Sequence, residues 1–130
     1  MAGGKIPRPT EAELAILRVL WREGPGTLKQ VHEAASRAKP TGYTTVLKLL
    51  QIMLEKGLVA RDESSRPHVY RAAQTEARTQ RQLVGDLLER AFGGSALKLV
   101  MQALSSRKTP PEELSQIREL IERMEREQGG

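Results

Sequence analysis

The chain has 130 residues, a formal net charge of +5, no cysteine and four aromatic side chains. The lack of cysteine excludes disulfides, thiolate metal sites and cysteine nucleophiles. No apolar run approaches the roughly 18 residues of a membrane span, and residues 1–10 lack the apolar core of a signal peptide, so we expect a cytoplasmic protein.

The first predicted helix begins at Thr10. The residues Thr-Glu-Ala-Glu form a capping box, in which the Thr10 hydroxyl accepts from an amide of the first turn and the Glu13 carboxylate accepts from the Thr10 amide. An inward stripe follows, flanked by Ile16: Leu14, Leu17, Leu20 and Trp21. Gly24-Pro25-Gly26 should end this helix.

A second capping box, Thr27-Leu28-Lys29-Gln30, starts the second predicted helix, and Leu28, Val31 and Ala35 should point inward. In a helix-turn-helix this helix crosses the DNA backbone, and its N-terminal amides favour a phosphate. Lys29 and Gln30 are therefore predicted to contact DNA, with an ordinary exposed helix start as the alternative.

The third predicted helix is the most informative element. Pro40 ends the preceding connection, Thr41 or Gly42 leads into the helix, and Gly57 ends it. Its apolar residues recur at helical spacing and should be buried: Val46, Leu49, Leu50, Met53 and Leu54. The opposite face carries Thr44, Thr45, Lys48 and Gln51. Hydroxyls, amides and a lysine suit base edges and phosphates in a DNA major groove.

The first turns of this helix are the predicted recognition site. The candidate DNA contacts are Thr41, Tyr43, Thr44, Thr45 and Lys48. One or two of the threonines have the alternative role of caps or packing residues. Thr44 and Lys48 are the strongest candidates.

Two short strands joined by a polar turn follow Gly57 and should form a hairpin, or wing, with Arg66, His68 and Arg71 on it. An arginine there is attracted by the minor groove or by flanking phosphates, so Arg66 is a further candidate DNA contact. The alternative is a solvated hairpin tip. Val69 and Tyr70 should pack on the core.

From Thr75 onward the pattern is helical only. A fourth helix should stop at Gly93-Gly94, Ser95 should cap a fifth, and Thr109-Pro110-Pro111-Glu112 should cap a sixth with proline at the first helical position. The apolar faces of these helices should be buried against another surface. A second copy of the chain is favoured as that surface over the winged helix of the same chain. The predicted dimerisation residues are Leu87, Val100, Leu104, Leu114, Ile117, Leu120 and Ile121.

Charge supports this division. Residues 1–74 hold twelve Lys and Arg against seven Asp and Glu, whereas residues 75–130 hold nine of each. The excess in the first part favours an anionic partner. We therefore predict a mostly α fold with a small β-hairpin: a winged-helix DNA-binding domain over residues 1–74 and a helical dimerisation region over residues 75–130.

The sequence does not indicate a catalytic site or a metal site. The sequence contains no GxSxG, HExxH, Walker or GxGxxG motif, so we predict no enzyme. His32 and His68 are the only histidines, and their spacing fits no metal site. No cofactor is expected.

Several segments in order resemble the BlaI/MecI/CopY family of penicillinase-type repressors. PTEAELAILRVLW is similar to its first helix, TLKQVHEA to its second, TTVLKLLQIMLEKGLVARDE to its recognition helix and first wing strand, and RPHVYRA to the returning strand. GGSALKLVMQAL and PEELSQIRELIE are similar to its dimerisation segment. The resemblance implies a homodimer that binds a palindromic operator and represses transcription.

The family's inducing mechanisms transfer less directly. In the antibiotic-resistance branch, a membrane sensor-protease system leads to cleavage at an Asn-Phe pair, where this chain has Gln102-Ala103. The copper branch uses cysteines, which are absent here. Ile52 stands in the recognition helix where the family often has arginine.

The sequence therefore predicts a homodimeric winged-helix repressor whose partners are an operator in double-stranded DNA and a second copy of itself. The alternative is a winged helix that binds another protein and no DNA, and the basic first part argues against it. A sensor of a small molecule or metal with the same fold is a weaker rival, because no polar cluster suggests a pocket.

Overall fold

The computed structural model describes residues 7–129, so the ends of both predicted domains, residues 1–6 and 130, lie outside the described part of the chain. Within that part, six helices are α1 (Glu11–Glu23), α2 (Leu28–Ala38), α3 (Tyr43–Lys56), α4 (Glu76–Ala91), α5 (Ala96–Ser105) and α6 (Pro111–Gly129). Three strands are β1 (Gly26–Thr27), β2 (Val59–Asp62) and β3 (Val69–Ala72). The chain forms a first compact unit that ends at Gly85 and a second that begins at Asp86.

Both predicted capping boxes of the first unit are confirmed. The Thr10 amide donates to Glu13 Oε1 at 2.8 Å, and the Glu13 amide donates to Thr10 Oγ1 at 3.2 Å. Thr27 and Gln30 repeat the arrangement at 2.9 and 3.2 Å. Local side chains therefore satisfy amides that have no partner inside either helix.

Helix α3 ends as predicted, at Gly57 with φ 79° in the left-handed region. The Leu58 amide then donates to the Met53 carbonyl at 2.9 Å, which closes the last turn. At the start, Gly42 is the N-cap and Tyr43 the first helical residue, so Gly42 leads into the helix as predicted and only the placement of Thr41 on the first turn is wrong. Thr41 thus precedes the helix and does not lie on its first turn.

The sheet has three strands where the sequence predicted a two-stranded hairpin. β2 and β3 form that hairpin, and β1 joins its other side in the antiparallel order β1-β3-β2, with Gly26 opposite Tyr70 and Thr27 opposite Val69. A two-residue strand of Gly and Thr has no alternating apolar pattern, so the sequence contained no signal for it. β1 ties the connection between α1 and α2 to the wing.

One apolar core holds the first unit together. Val46, Leu50 and Met53 of α3 are fully buried, and the rest of the cluster comes from the other elements: Ile16, Leu17, Leu20, Val31, Leu58, Val59 and Tyr70. Two details differ from the sequence analysis, since Ile16 is a core residue and not a flanking one, and Ala34 is more buried than Ala35. As predicted, Tyr70 packs in the core.

The chain after β3 is also anchored to α1. The Trp21 indole Nε1–H donates to the Gln74 carbonyl at 2.9 Å, and Thr79 on the first part of α4 is buried. An indole needs such a partner when its ring packs against a core.

The three helices after Thr75 form as predicted, with one correction. Gly93 and Gly94 have positive φ after α4, and Ser95 Oγ accepts from the Lys98 amide at 3.2 Å to cap α5. α6, however, begins at Pro111, so Pro111 and not Pro110 is its first residue and Thr109 lies one position too early to be the N-cap. No helix among residues 7–129 is long and apolar enough to span a membrane.

Candidate nucleic-acid interface

The outer face of α3 is polar and open. Thr44, Thr45, Lys48 and Gln51 are exposed, whereas Val46 and Leu50 between them are fully buried. The buried stripe fixes the rotation of the helix about its own axis. The polar side chains are consequently held outward by the packing of the opposite face.

The turn between α2 and α3 is fixed through one backbone carbonyl. The Thr41 oxygen lies 2.9 Å from His32 Nε2 and accepts from Ser36 Oγ at 3.1 Å. Because a carbonyl can only accept, His32 must carry its proton on Nε2. The Thr41 hydroxyl donates to the Lys39 carbonyl at 2.7 Å. Thr41 therefore shapes the approach to α3 with both its backbone and its side chain.

Tyr43 rests against the same histidine. Its ring meets the His32 ring edge to face, with centroids 5.4 Å apart and an interplanar angle of 75°. Tyr43 is nevertheless 50% exposed. The contact limits its rotamers at the start of α3 and leaves the phenol accessible to a partner.

The two predicted residues of α2 have different surroundings. Lys29 and Gln30 are both exposed, but the Gln30 side-chain oxygen is already the acceptor for the Thr27 amide. Gln30 thus has a capping role, with its amide NH₂ group remaining as a donor for a partner. Lys29 lies on the same compact unit as α3, and no carboxylate among residues 7–129 forms a salt bridge with it.

The wing has an ordered tip. Asp62 Oδ1 accepts from the Ser64 amide at 2.9 Å and from the Ser64 hydroxyl at 2.6 Å, and these bonds lower the pKa of Asp62. Arg61 pairs with Glu63, which lowers the pKa of that carboxyl. Arg66 is exposed, and its charge also contributes, after that of Arg61, to the lowered pKa of Glu63.

The salt bridges of the first unit divide its cations into two groups. Arg37 pairs with Glu23 at 2.7 Å and Lys56 pairs with Glu13 at 2.6 Å. Among residues 7–129, Lys29 and Lys48 are in no such pair. These are the two lysines predicted to contact DNA, and the charge of each is therefore available for a phosphate.

Sequence reasoning missed the role of Glu13. This capping residue is only 2% exposed, and Lys56 at the end of α3 donates to the same Oε1 that accepts from the Thr10 amide. Burial raises the pKa of Glu13, but the bonds from Lys56 and Thr10 outweigh it and the net shift is downward. Glu13 is buried and contacts Lys56, 43 positions away, whereas Gln30 in the box of α2 is exposed, and a local capping pattern does not reveal this difference.

Metal ligands do not converge in the described residues. No group of three His, Asp or Glu side chains between residues 7 and 129 could hold a metal ion. The features that stand out are the polar face of α3, the adjoining start of α2 and the wing.

Comparison with known families gives a match over most of the chain. A family model described as the penicillinase repressor matches residues 9–123. The penicillinase repressor of Bacillus licheniformis is 22% identical over 118 residues, which cover 91% of this chain and 92% of that protein. The transcriptional regulator BlaI of Mycobacterium tuberculosis is 40% identical over 67 residues, 51% of this chain and 49% of that protein. The chain thus spans about half the length of this mycobacterial relative.

A solved structure is similar to part of the chain. The solution structure of the monomeric form of Bacillus licheniformis BlaI in complex with the blaP half-operator has a TM-score of 0.50 and 25% identity. The match covers 56% of this chain and 89% of that one.

Proposed function

The chain belongs to the penicillinase repressor family, and from that premise we propose that it is a homodimeric transcriptional repressor that binds a palindromic operator. The family is one of repressors, and the chain is not an enzyme. The observation that carries the proposal is the outer face of α3, where Thr44, Thr45 and Lys48 are exposed opposite a fully buried stripe.

The proposed docking places α3 in the major groove. Its first turns would then meet base edges, since the N-terminal residues of a recognition helix contact the bases. Lys29 at the start of α2 and Arg66 on the wing would contact phosphates on either side. The solved half-operator complex of the Bacillus licheniformis protein supports this assignment, because that protein is similar to 56% of this chain in its DNA-bound form.

The second unit supports a dimer. Neither α5 nor α6 has a buried residue, although each carries an apolar stripe. Large exposed side chains of these stripes include Leu97, Val100, Met101, Leu114, Leu120 and Ile121. Contiguous exposed apolar faces of this kind mark interaction surfaces, and the same helices of a second chain would cover them. Two-fold symmetry would then present two α3 helices to two half-sites.

The test is a fluorescence-anisotropy titration of the full chain over a series of salt concentrations. One labelled duplex comes from the region upstream of the protein's own coding sequence, and the control duplex has the same composition in scrambled order. We expect selective binding to the first duplex. A plot of the logarithm of the binding constant against the logarithm of the salt concentration should be linear. Its negative slope should have a magnitude of about 0.9 for each phosphate contacted.

Equal affinity for the two duplexes would contradict operator recognition. The absence of binding to either duplex at low salt would favour the protein-interaction alternative. A footprint of two equal halves, with centres about 34–36 Å apart, would support the symmetric dimer.

A further inference from the structure

Ile52 is an apolar side chain in an unusual place. Among residues 7–75, the large hydrophobic side chains that are exposed are Tyr43, at 50%, and Ile52, at 45%, and both lie on α3. Tyr43 packs in part against His32. Ile52 lies outside the buried stripe of α3, whose residues Val46, Leu50 and Met53 are fully buried.

Ile52 belongs to the outer face of α3. Thr45, Lys48 and Ile52 stand at positions i, i+3 and i+7, which form one stripe along a helix, and all three are exposed. Isoleucine is a poorer helix former than the alanine or glutamine that an exposed site would accept. Neither helix propensity nor core packing therefore explains an isoleucine at this position.

A DNA major groove offers one apolar group to such a side chain. Thymine carries a C5-methyl there beside its O4 acceptor, whereas the other three bases present hydrogen-bonding atoms and no methyl group. A branched aliphatic side chain has no hydrogen bond to give and gains free energy only by the burial of apolar surface. Ile52 lies four residues beyond Lys48 and seven beyond Thr45, so the thymine methyl would lie further along the groove than the bases met by the first turns of α3.

We propose that Ile52 is a specificity-determining residue that packs against the C5-methyl of a thymine in each half-operator. The inference rests on the proposed operator binding and deepens it, because it names one base that α3 selects. It also gives the exposed stripe a division of roles: Thr45 and Lys48 make polar contacts, and Ile52 supplies an apolar one.

The experiment uses DNA that the full-length chain itself selects from a pool of duplexes with a randomised central region. Each thymine of the selected sequence is replaced in turn by deoxyuridine, which removes only the methyl group. We expect one thymine position, which occurs once in each half-site, to be sensitive to this change. Replacement in one half-site should lower the wild-type affinity roughly three- to fivefold, the effect of one buried methyl group. Ile52→Ala should bind the thymine and uracil duplexes with equal affinity.

Two controls separate the methyl contact from a general loss of binding. Ile52→Ala changes an exposed position to the best helix former, and a circular-dichroism melt should show an unchanged fold. Lys48→Ala should weaken binding to both duplexes and retain the thymine preference.

The inference is overturned if the wild-type chain selects a defined sequence but no thymine in it can be replaced at a cost in affinity. It is also overturned if Ile52→Ala retains the full preference for thymine. Selection of no sequence at all would instead overturn the proposed operator binding, and the inference with it.

Discussion

At the scale of single residues, Glu13 does two tasks that are separate elsewhere in the chain. It closes the capping box of α1 and also binds Lys56 at the end of α3. Gln30 holds the equivalent place in the box of α2, where it is exposed and has no charge to neutralise. The second box therefore shows which residue could replace Glu13 without loss of the cap.

Glu13→Gln should keep the cap and remove the ion pair between the buried Glu13 carboxylate and the partly exposed Lys56 ammonium. We expect the free energy of unfolding at neutral pH to fall by roughly 1–3 kcal/mol, because Lys56 would lose its charged partner. Since the folded-state pKa of Glu13 is lowered, the wild-type carboxylate contributes its stability above the unfolded-state value of 4.5 and loses it as the pH falls through the folded-state pKa.

Urea denaturation at several pH values measures this effect. The difference between wild type and Glu13→Gln should be largest at neutral pH and should shrink below about pH 4.5. A difference that does not change with pH would show that the carboxylate charge is not the cause.

His32 is the second residue whose role became visible only in the structure. His32→Ala would leave the Thr41 carbonyl with Ser36 as its donor and would remove the ring against which Tyr43 rests. We expect affinity for the operator to fall roughly fivefold, equivalent to about one lost hydrogen bond, with a smaller effect on scrambled DNA. Anisotropy titration of both duplexes provides the measurement.

Two variants serve as controls for His32. His32→Gln keeps a donor in this region and should recover part of the affinity. Glu33→Ala alters the exposed neighbouring residue and should behave as wild type. If His32→Ala and His32→Gln bound each duplex with the same affinity as the wild-type chain, the turn would have no part in presenting α3.

At the scale of elements, α3 and the wing should contribute to binding in different ways. Lys48 lies on the outer face of α3, and Arg66 lies at the exposed tip of the hairpin. A side chain that contacts a base changes selectivity, whereas one that contacts a phosphate changes affinity for all sequences.

We predict that Lys48→Ala weakens operator binding by roughly 1–3 kcal/mol and relaxes selectivity, as expected for a base contact. Arg66→Ala should weaken binding to operator and scrambled DNA alike and reduce the salt slope by about 0.9. The same anisotropy salt series, run on both variants, measures both quantities. Equal weakening of Lys48→Ala on the two duplexes would assign Lys48 to a phosphate instead.

Most elements of the first unit could be predicted because their signals are local. The capping boxes of α1 and α2 use residues three apart, and the stripe of α3 repeats every three or four residues. β1 could not be predicted in this way. Its two residues pair with Tyr70 and Val69, which lie more than 40 positions later.

At the scale of the whole molecule, the prediction concerns the apolar stripe of α6. Ile117 is half-buried within one chain, while Leu120 and Ile121 are exposed. Ile117→Asp should dissociate the proposed dimer, because association would bury a charge without a partner. Ser115→Asp introduces the same charge on the opposite, exposed face and should leave the dimer intact.

Sedimentation velocity at several protein concentrations measures the outcome. We expect wild type and Ser115→Asp to sediment as dimers and Ile117→Asp as a monomer with weakened operator binding. If Ile117→Asp remained dimeric, the interface would lie elsewhere, and the predicted set from Leu87 to Ile121 would need to be replaced.

The sequence by itself determined the helices, the caps of α1, α2 and α5, the glycine end of α3 and the polar face that the proposal assigns to DNA. These features depend on side chains within one or two turns of each other, so periodicity and capping chemistry describe them fully. The family could likewise be identified from short segments in a fixed order.

The tertiary structure alone decided what distant residues do to one another. It placed Thr41 in a turn fixed by His32 and Ser36, joined Glu13 to Lys56, and added β1 to the wing. It also showed that Ile52 is exposed on α3. Each of these depends on contacts between elements, which a local pattern does not encode, because the partner of a side chain is set by how the chain folds back on itself.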